Sequence, residues 1–200
     1  MNRVTIQDGD EVIVQVPTQG EATVTLVARM IQEEILPYID IVDDMPVNPN
    51  PVAPSAWWRR TPEQITGITI HHTMSHDPKA TARYCTDVKS RPSIQYHFWV
   101  AQDGLVYLCA PLSWGMWHDH CGHYNPHVSV GMAGRLHERK PPDVQLQAAA
   151  RITAWLMNEY DIPLSKVKGH NDYYATLCPG WDAMNWRSDF YKALDETLVE

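Results

Sequence analysis

Four prolines, Pro46, Pro49, Pro51 and Pro54, crowd the stretch DDMPVNPNPVAPSAWW. Each fixes its own φ and lacks a backbone N–H, so neither a helix nor a central strand runs through them. The chain is therefore expected to divide there. Residues 1–54 form an N-terminal arm that ends in a proline-rich strap, and residues 55–200 form the main body. In the arm, Val4 and Ile6, then Val12, Val14 and Val16, alternate with polar residues around Asp8-Gly9, a hairpin signal. Val24, Val27, Met30, Ile31 and Ile35 recur at roughly helical spacing, which predicts a helix over 21–36, weakened by its Val and Thr residues.

The body alternates element types. ITGITIHHT reads as a buried strand, and DPKATARYCTDVKSR as a helix capped by Asp77 with Pro78 in its first turn. SIQYHFWVAQDGLVYLCA reads as two strands joined at Asp103-Gly104, and HVSVGMAG as a short strand. Residues 143–160 carry Leu146, Ala149, Ile152 and Leu156 in one stripe, which predicts a strong helix. KVKGHND is a strand end running into a loop, and a closing helix over 183–198 aligns Trp186, Phe190 and Leu194. Interleaved strands and helices with hairpins among the strands imply an α/β fold: a central mixed β-sheet flanked by helices, with a small N-terminal arm.

The totals exclude some functions. A net charge of −8 argues against a nucleic-acid partner, which needs a basic face. No run approaches the roughly 18–20 apolar residues of a membrane span. The start, MNRVTIQDGDEVIVQV, has no long apolar segment, so no signal peptide is expected and synthesis in the cytoplasm is. Eight Trp and nine Tyr against two Phe suit a wet groove that grips sugars or peptides, although core and rim packing accounts for most of them. Cys85, Cys109, Cys121 and Cys178 form no CxxC pair, which rules out a zinc ribbon; one disulfide among the first three stays open.

Chemistry concentrates in two places. An apolar strand ends at the pair His71-His72, and GHNDYYATLCPG places His170 and Cys178 near the end of the chain. A catalytic zinc takes about three protein ligands, from neutral imidazole, thiolate or carboxylate, and leaves a place for water. The histidine pair, His170 and Cys178 are candidates, delivered from a strand end and a distant loop rather than from a local finger. Asp172 is placed to orient a ligand histidine. Taken singly, a strand-end His is more often a hydrogen-bonded residue and a lone Cys a small core residue. The block WGMWHDHCGHYNPH is rich in His but lacks metal-ligand spacing.

Four blocks in fixed order resemble the type-2 N-acetylmuramoyl-L-alanine amidases, a family that includes phage endolysins and animal peptidoglycan recognition proteins. They are I-x-I-H-H-T, Y-H-F-x-V-x-x-D-G-x-V-Y, W-H-x-H-x-G-H-Y-N-x-x-x-S-V-G-M-x-G and G-H-N-D-x-x-x-T-x-C-P-G, and the match spans about residues 65–198. The resemblance implies hydrolysis of the amide between N-acetylmuramic acid and the L-alanine of the peptidoglycan stem peptide, with one Zn2+. By position it implies His71, His170 and Cys178 as metal ligands, Tyr96 and Thr176 as catalytic residues, and His72, Trp117, His118 and Asn125 as substrate-binding residues. Trp114 would also lie near the substrate groove.

Thr176 stands where many relatives carry Lys, so its hydroxyl brings a donor without charge. Ala133 stands where some relatives carry a glutamate base, which places this chain with the tyrosine-using branch. His97 and His118 are candidates for the site wall, each equally a structural hydrogen-bonder, and the sequence does not name the proton shuttle. Retention of Cys178 favours activity over recognition alone. The expected partner is peptidoglycan, and an endolysin held in the host cytoplasm until lysis is the leading role. A cytosolic muropeptide-recycling amidase and a non-catalytic peptidoglycan-binding module are the rivals.

Overall fold

The computed structural model describes residues 12–14, 24–26, 37–51, 57–119, 125–181 and 185–199. The chain separates into two units, Met1–Leu36 and Pro37–Glu200. In the first, β1 (Val12–Val14) pairs antiparallel with β2 (Val24–Leu26), with Ile13 opposite Thr25. Residues 24–26 are thus extended where the spacing predicted a helix. Val24 and Thr25 are β-branched, and pairing with another valine-rich strand outweighs the helical spacing. The turn expected at Asp8-Gly9 and the rest of the predicted helix lie outside the described residues.

The second unit begins earlier than the proline tract suggested. Tyr38 packs edge-on against Phe98 and Trp155, with ring centroids 5.2 and 5.5 Å away. β3 (Ile39–Asp40) joins the main sheet, and Met45 is buried in the core. The strap is tied down where it can be, Asn48 donating its N–H to the Pro92 carbonyl at 2.9 Å.

Three strands carry the sheet's centre. β5 (Gly67–His72) pairs parallel with β9 (His127–Met132), which pairs parallel with β6 (Phe98–Val100). β6 turns back antiparallel into β7 (Val106–Leu108) through Asp103-Gly104, where Gly104 has φ +88 and Asp103 accepts from the Leu105 N–H. β10 (Val167–Gly169) adds in parallel on the outer side of β5, giving the order β10-β5-β9-β6-β7-β3. A separate antiparallel pair links β4 (Trp57–Arg59) to β8 (Trp114–Met116). A mixed sheet flanked by helices is the architecture the alternating pattern predicted.

Alternation of side chains then divides the sheet into two unlike faces. Ile68 and Ile70, Val128, Val130 and Met132, and Phe98 and Val100 face α2 (Asp143–Glu159) and α3 (Trp186–Leu198). Those helices supply Leu146, Ala149, Ile152, Leu156, Trp186, Phe190 and Leu194, the stripes read from the sequence. Gln145 of α2 also ties the helix to the sheet, donating to the Val100 and Ala133 carbonyls. On the other face, Trp99 packs with Ala82 of α1 (Pro78–Arg83), Ile94, Met116 and Ala133. Asp77 caps α1 by accepting from the Lys79 and Ala80 N–H groups, as Asp-Pro at its start predicted. No described helix is long and apolar enough to cross a membrane.

Phe98 is fully buried between Tyr38, Trp155 and the helices. Phe98→Ala is predicted to cost about 3–5 kcal/mol, read as a lower urea midpoint at unchanged slope. A loss below about 1 kcal/mol would contradict this packing.

Candidate metal and catalytic site

The second face of β5 and β9 is polar. Thr69 and His71 alternate with Ile68 and Ile70, and His127 and Ser129 alternate with Val128 and Val130. His71 stands at the strand end. Because Gly169 of β10 pairs with Ile70, the next residue, His170, emerges beside His71, with ring centroids 4.7 Å apart. A short 3-10 turn (His170–Asp172) follows. Asp172 closes it by accepting from the Gly169 N–H at 2.8 Å, and it pairs with Arg187 of α3. Asp172 therefore fixes the turn that carries His170.

The loop from this turn returns to place Cys178. Asn171 donates its N–H to the Cys178 carbonyl at 2.9 Å, and the His72 N–H points at the Cys178 sulfur at 3.3 Å. Gly180, at φ +104, lets the loop lie flat, because an added Cβ would meet the Leu136 and His137 backbone at 2.5 Å. The ligand atoms of His71, His170 and Cys178 all lie within 4.8 Å of one another. His71 Nδ1 stands 3.6 Å from Cys178 Sγ. A tetrahedral zinc with Zn–N of about 2.0 Å and Zn–S of about 2.3 Å separates two such atoms by roughly 3.5 Å. Two imidazoles and a thiol, enclosed and converging, fit such an ion. Burial lowers the His71 pKa well below its ordinary value, with His118 and His170 acting the same way, so the ring is neutral. Burial pushes the Cys178 thiol up to about 12, against the pull of the His72 N–H, so metal binding has to displace its proton.

Tyr96 lies at the rim. Its ring meets His71 edge-on at 5.5 Å, and its hydroxyl donates to the His72 carbonyl at 3.4 Å. Gly131 makes room for it, since a Cβ there would approach the Tyr96 ring to 2.9 Å. Burial, with Cys178 as a second cause, raises the Tyr96 pKa, so the phenol keeps its proton. Thr176 is half-buried, and its oxygen accepts from the Cys178 N–H at 3.3 Å, which leaves the hydroxyl proton to donate elsewhere.

The residues expected to bind substrate divide differently. His72 turns away from His71, its ring beside His137 at 5.3 Å, while its backbone holds the Cys178 sulfur. Trp117 is half-buried just beyond β8. Asn125 is 1% exposed and uses its amide inside the protein: it donates to Met116 O and Asp119 Oδ1, and accepts from the His127 N–H. His118 is also buried, 3.0 Å from His71 Nε2 on its inner side. His97, fully buried, accepts from the Ser129 N–H. Asn125, His118 and His97 are therefore buried in the polar layer rather than lining an open surface.

That loop reveals a polar network which sequence reading missed. Asp119, fully buried, accepts from Thr69 Oγ1 (2.6 Å), His127 Nδ1 (2.8 Å) and Asn125 Nδ2 (2.6 Å). Burial alone would raise its pKa, but His118 beside it and the His127 and Thr69 hydrogen bonds outweigh this and hold it below the usual carboxylate range. Arg60, also buried, donates to the carbonyl of Leu112 ahead of β8 and to those of Asn125 and His127 at the start of β9. The signal for this layer was the polar half of the alternation in GITIHH and HVSVGM.

Known proteins share this fold. The fold matches the solved amidase LysC from Clostridium intestinale URNW (TM-score 0.57, 22% identity, 68% of this chain and 91% of that chain). It also matches Drosophila PGRP-LB (0.58, 18%, 68% and 85%) and Apis mellifera PGRP-SA (0.59, 20%, 74% and 95%). A mixed-sheet fold of the amidase and peptidoglycan-recognition kind is thereby established. Residues 61–181 match the family described as N-acetylmuramoyl-L-alanine amidase, and the chain belongs to that family. Peptidoglycan recognition protein 1 of Bos taurus is 35% identical over 91 residues, which cover 44% of this chain and 46% of that protein. The chain spans about half the length of the curated relatives it matches.

The buried histidines set a pH dependence. Burial, with Arg60 and His118, keeps His97 neutral well below its ordinary pKa. The unfolded chain takes up that proton near pH 6.5 and the native state does not. Stability is therefore predicted to be level between about pH 6.5 and pH 8 and to fall below that range, by up to about 1.4 kcal/mol per pH unit for each such histidine. Asp119 adds a second loss only below the ordinary carboxylate range. Urea midpoints from pH 8 to pH 5, in chelator, measure this, and a flat profile between pH 7 and pH 5 would contradict it.

Proposed function

We propose that this chain hydrolyses the amide between N-acetylmuramic acid and L-alanine in peptidoglycan, with one Zn2+ held by His71, His170 and Cys178. The observation that carries this reading is the convergence of those three side chains within 4.8 Å from the ends of β5 and β10 and the loop beyond. A bound zinc supplies Lewis acidity at the scissile carbonyl and a water of lowered pKa.

The chain's own residues do the rest. Tyr96 keeps its phenolic proton and stands at the edge of His71, where it can hydrogen-bond the oxygen on which negative charge develops. Thr176 adds a neutral donor from the Cys178 side. Ala133 lies in the apolar cluster with Trp99, so no carboxylate base acts from that position. Trp117 contributes a half-exposed ring to the substrate side. The endolysin role rests on the likeness to the clostridial enzymes, one of which is described as an endolysin. The rival reading, recognition without cleavage, has the likeness to peptidoglycan recognition proteins behind it, but the retained Cys178 beside His71 favours a working metal site.

Incubation with intact peptidoglycan is predicted to release L-alanine amino ends without new reducing sugars, to stop with a chelator and to resume with zinc. Binding without new ends would overturn the enzyme reading. Cys178→Ala is predicted to abolish both cleavage and zinc retention. Tyr96→Phe is predicted to lower kcat about 10²–10³-fold while zinc stays bound; full activity in that variant would remove Tyr96 from the mechanism.

A further inference from the structure

We infer that His118 is a positioning residue for His71: it accepts the Nε2 proton of that ring and so leaves Nδ1 as a lone pair aimed at the metal position. The inference rests on the reading of His71 as a ligand, and the hydrogen-bond directions around it are over-determined.

His71 Nε2 and His118 Nδ1 are 3.0 Å apart, so one nitrogen donates and the other accepts. The far side of His118 decides which. His118 Nε2 lies 3.3 Å from the His127 carbonyl, which can only accept, so Nε2 carries the proton. Asn125 Nδ2, 3.2 Å away, does not supply a competing donor. Its two hydrogens are taken by Met116 O at 3.0 Å and Asp119 Oδ1 at 2.6 Å. Its orientation is fixed as well, because the His127 N–H donates to Asn125 Oδ1 at 2.9 Å. A neutral His118 with its proton on Nε2 has a bare Nδ1, so His71 must donate from Nε2. The opposite tautomer would donate from His118 Nδ1 to His71 Nε2, but it would set the bare Nε2 lone pair against the His127 carbonyl at 3.3 Å.

The relay thus runs from the His127 carbonyl through His118 to His71, and both of its ends are on adjacent strands of one sheet. Asp119 and Asn125 hold its middle. A metal-binding imidazole commonly has its remote nitrogen fixed in this way, and loss of the partner weakens binding about 10–100-fold.

Two measurements test it. Two-bond 15N–1H correlation spectra of the zinc-free protein report the tautomer of His71. The expected result is a proton on Nε2 in the wild type and a mixture in His118→Leu. A wild-type His71 protonated on Nδ1 overturns the inference whether or not zinc binds. Zinc competition against a chromophoric chelator gives the second. His118→Leu is expected to bind about 10–100-fold more weakly, and His118→Asn, whose amide oxygen can stand where Nδ1 was, to recover most of that loss. Equal affinity in the wild type and His118→Leu also overturns it. Circular dichroism separates misfolding from loss of positioning, and where His118→Leu fails to fold, His118→Asn and the wild-type tautomer decide the question. No zinc binding by the wild type would defeat the metal reading while the tautomer spectrum still judges the relay.

Discussion

Parallel pairing of β5 with β9 on one side and β10 on the other is the constraint on which the rest depends. It sets His71 opposite Gly131 and brings His170 alongside His71 from a point far along the chain. A slip of one residue between β5 and β9 would turn His71 toward the helices and drive Ile70 into the polar layer, and a slip of β10 would carry His170 away from His71. The apolar residues under α2 and α3 resist that slip, so the core enforces the geometry of the site. Burial of Ile68, Ile70, Val128 and Val130 and placement of His71 are thus two results of one register.

The polar layer is the costly half of this arrangement. Buried imidazoles, a carboxylate and a guanidinium lose hydration that only good hydrogen bonding returns. Asp119 recovers it from three donors, and Arg60 from three carbonyls. The layer stiffens the inner side of the site, while Tyr96 and Thr176 keep looser contacts, 3.4 and 3.3 Å, at its outer side. Rigidity behind His71 and latitude in front of it would suit the metal-dependent hydrolysis proposed above.

Much of this was legible in the sequence because local signals agreed. Asp77-Pro78, Asp103-Gly104 and the stripe from Leu146 to Leu156 each mark an element that forms where expected. HHT, His170 and Cys178 came together because strand ends and return loops are where distant ligands meet. Less was legible where the third dimension decides. Nothing local says that β10 runs parallel beside β5, or that Ile39 and Asp40 pair with Tyr107 and Leu108. Asn125 and His118 were expected on the substrate side because the family resemblance places their block along the groove. Asp119 draws them inward, and a single Asp among many in the sequence gave no warning of it. At Val24 and Thr25 the helical spacing competed with β-branching, and β-branching won.

The separation of His71 from Cys178, 107 residues along the chain, has a kinetic meaning. No fragment that stops short of β10 contains the complete triad, so a nascent chain cannot assemble it until nearly all of the sheet's strands have been made. Closing so long a loop is slow, since the entropy of closure is lost before the contacts reward it. An ion that binds only the closed triad would act as a late clip across the whole second unit and draw the native state down by mass action. Metal supply would then govern how long the folded protein lasts as well as how fast it works.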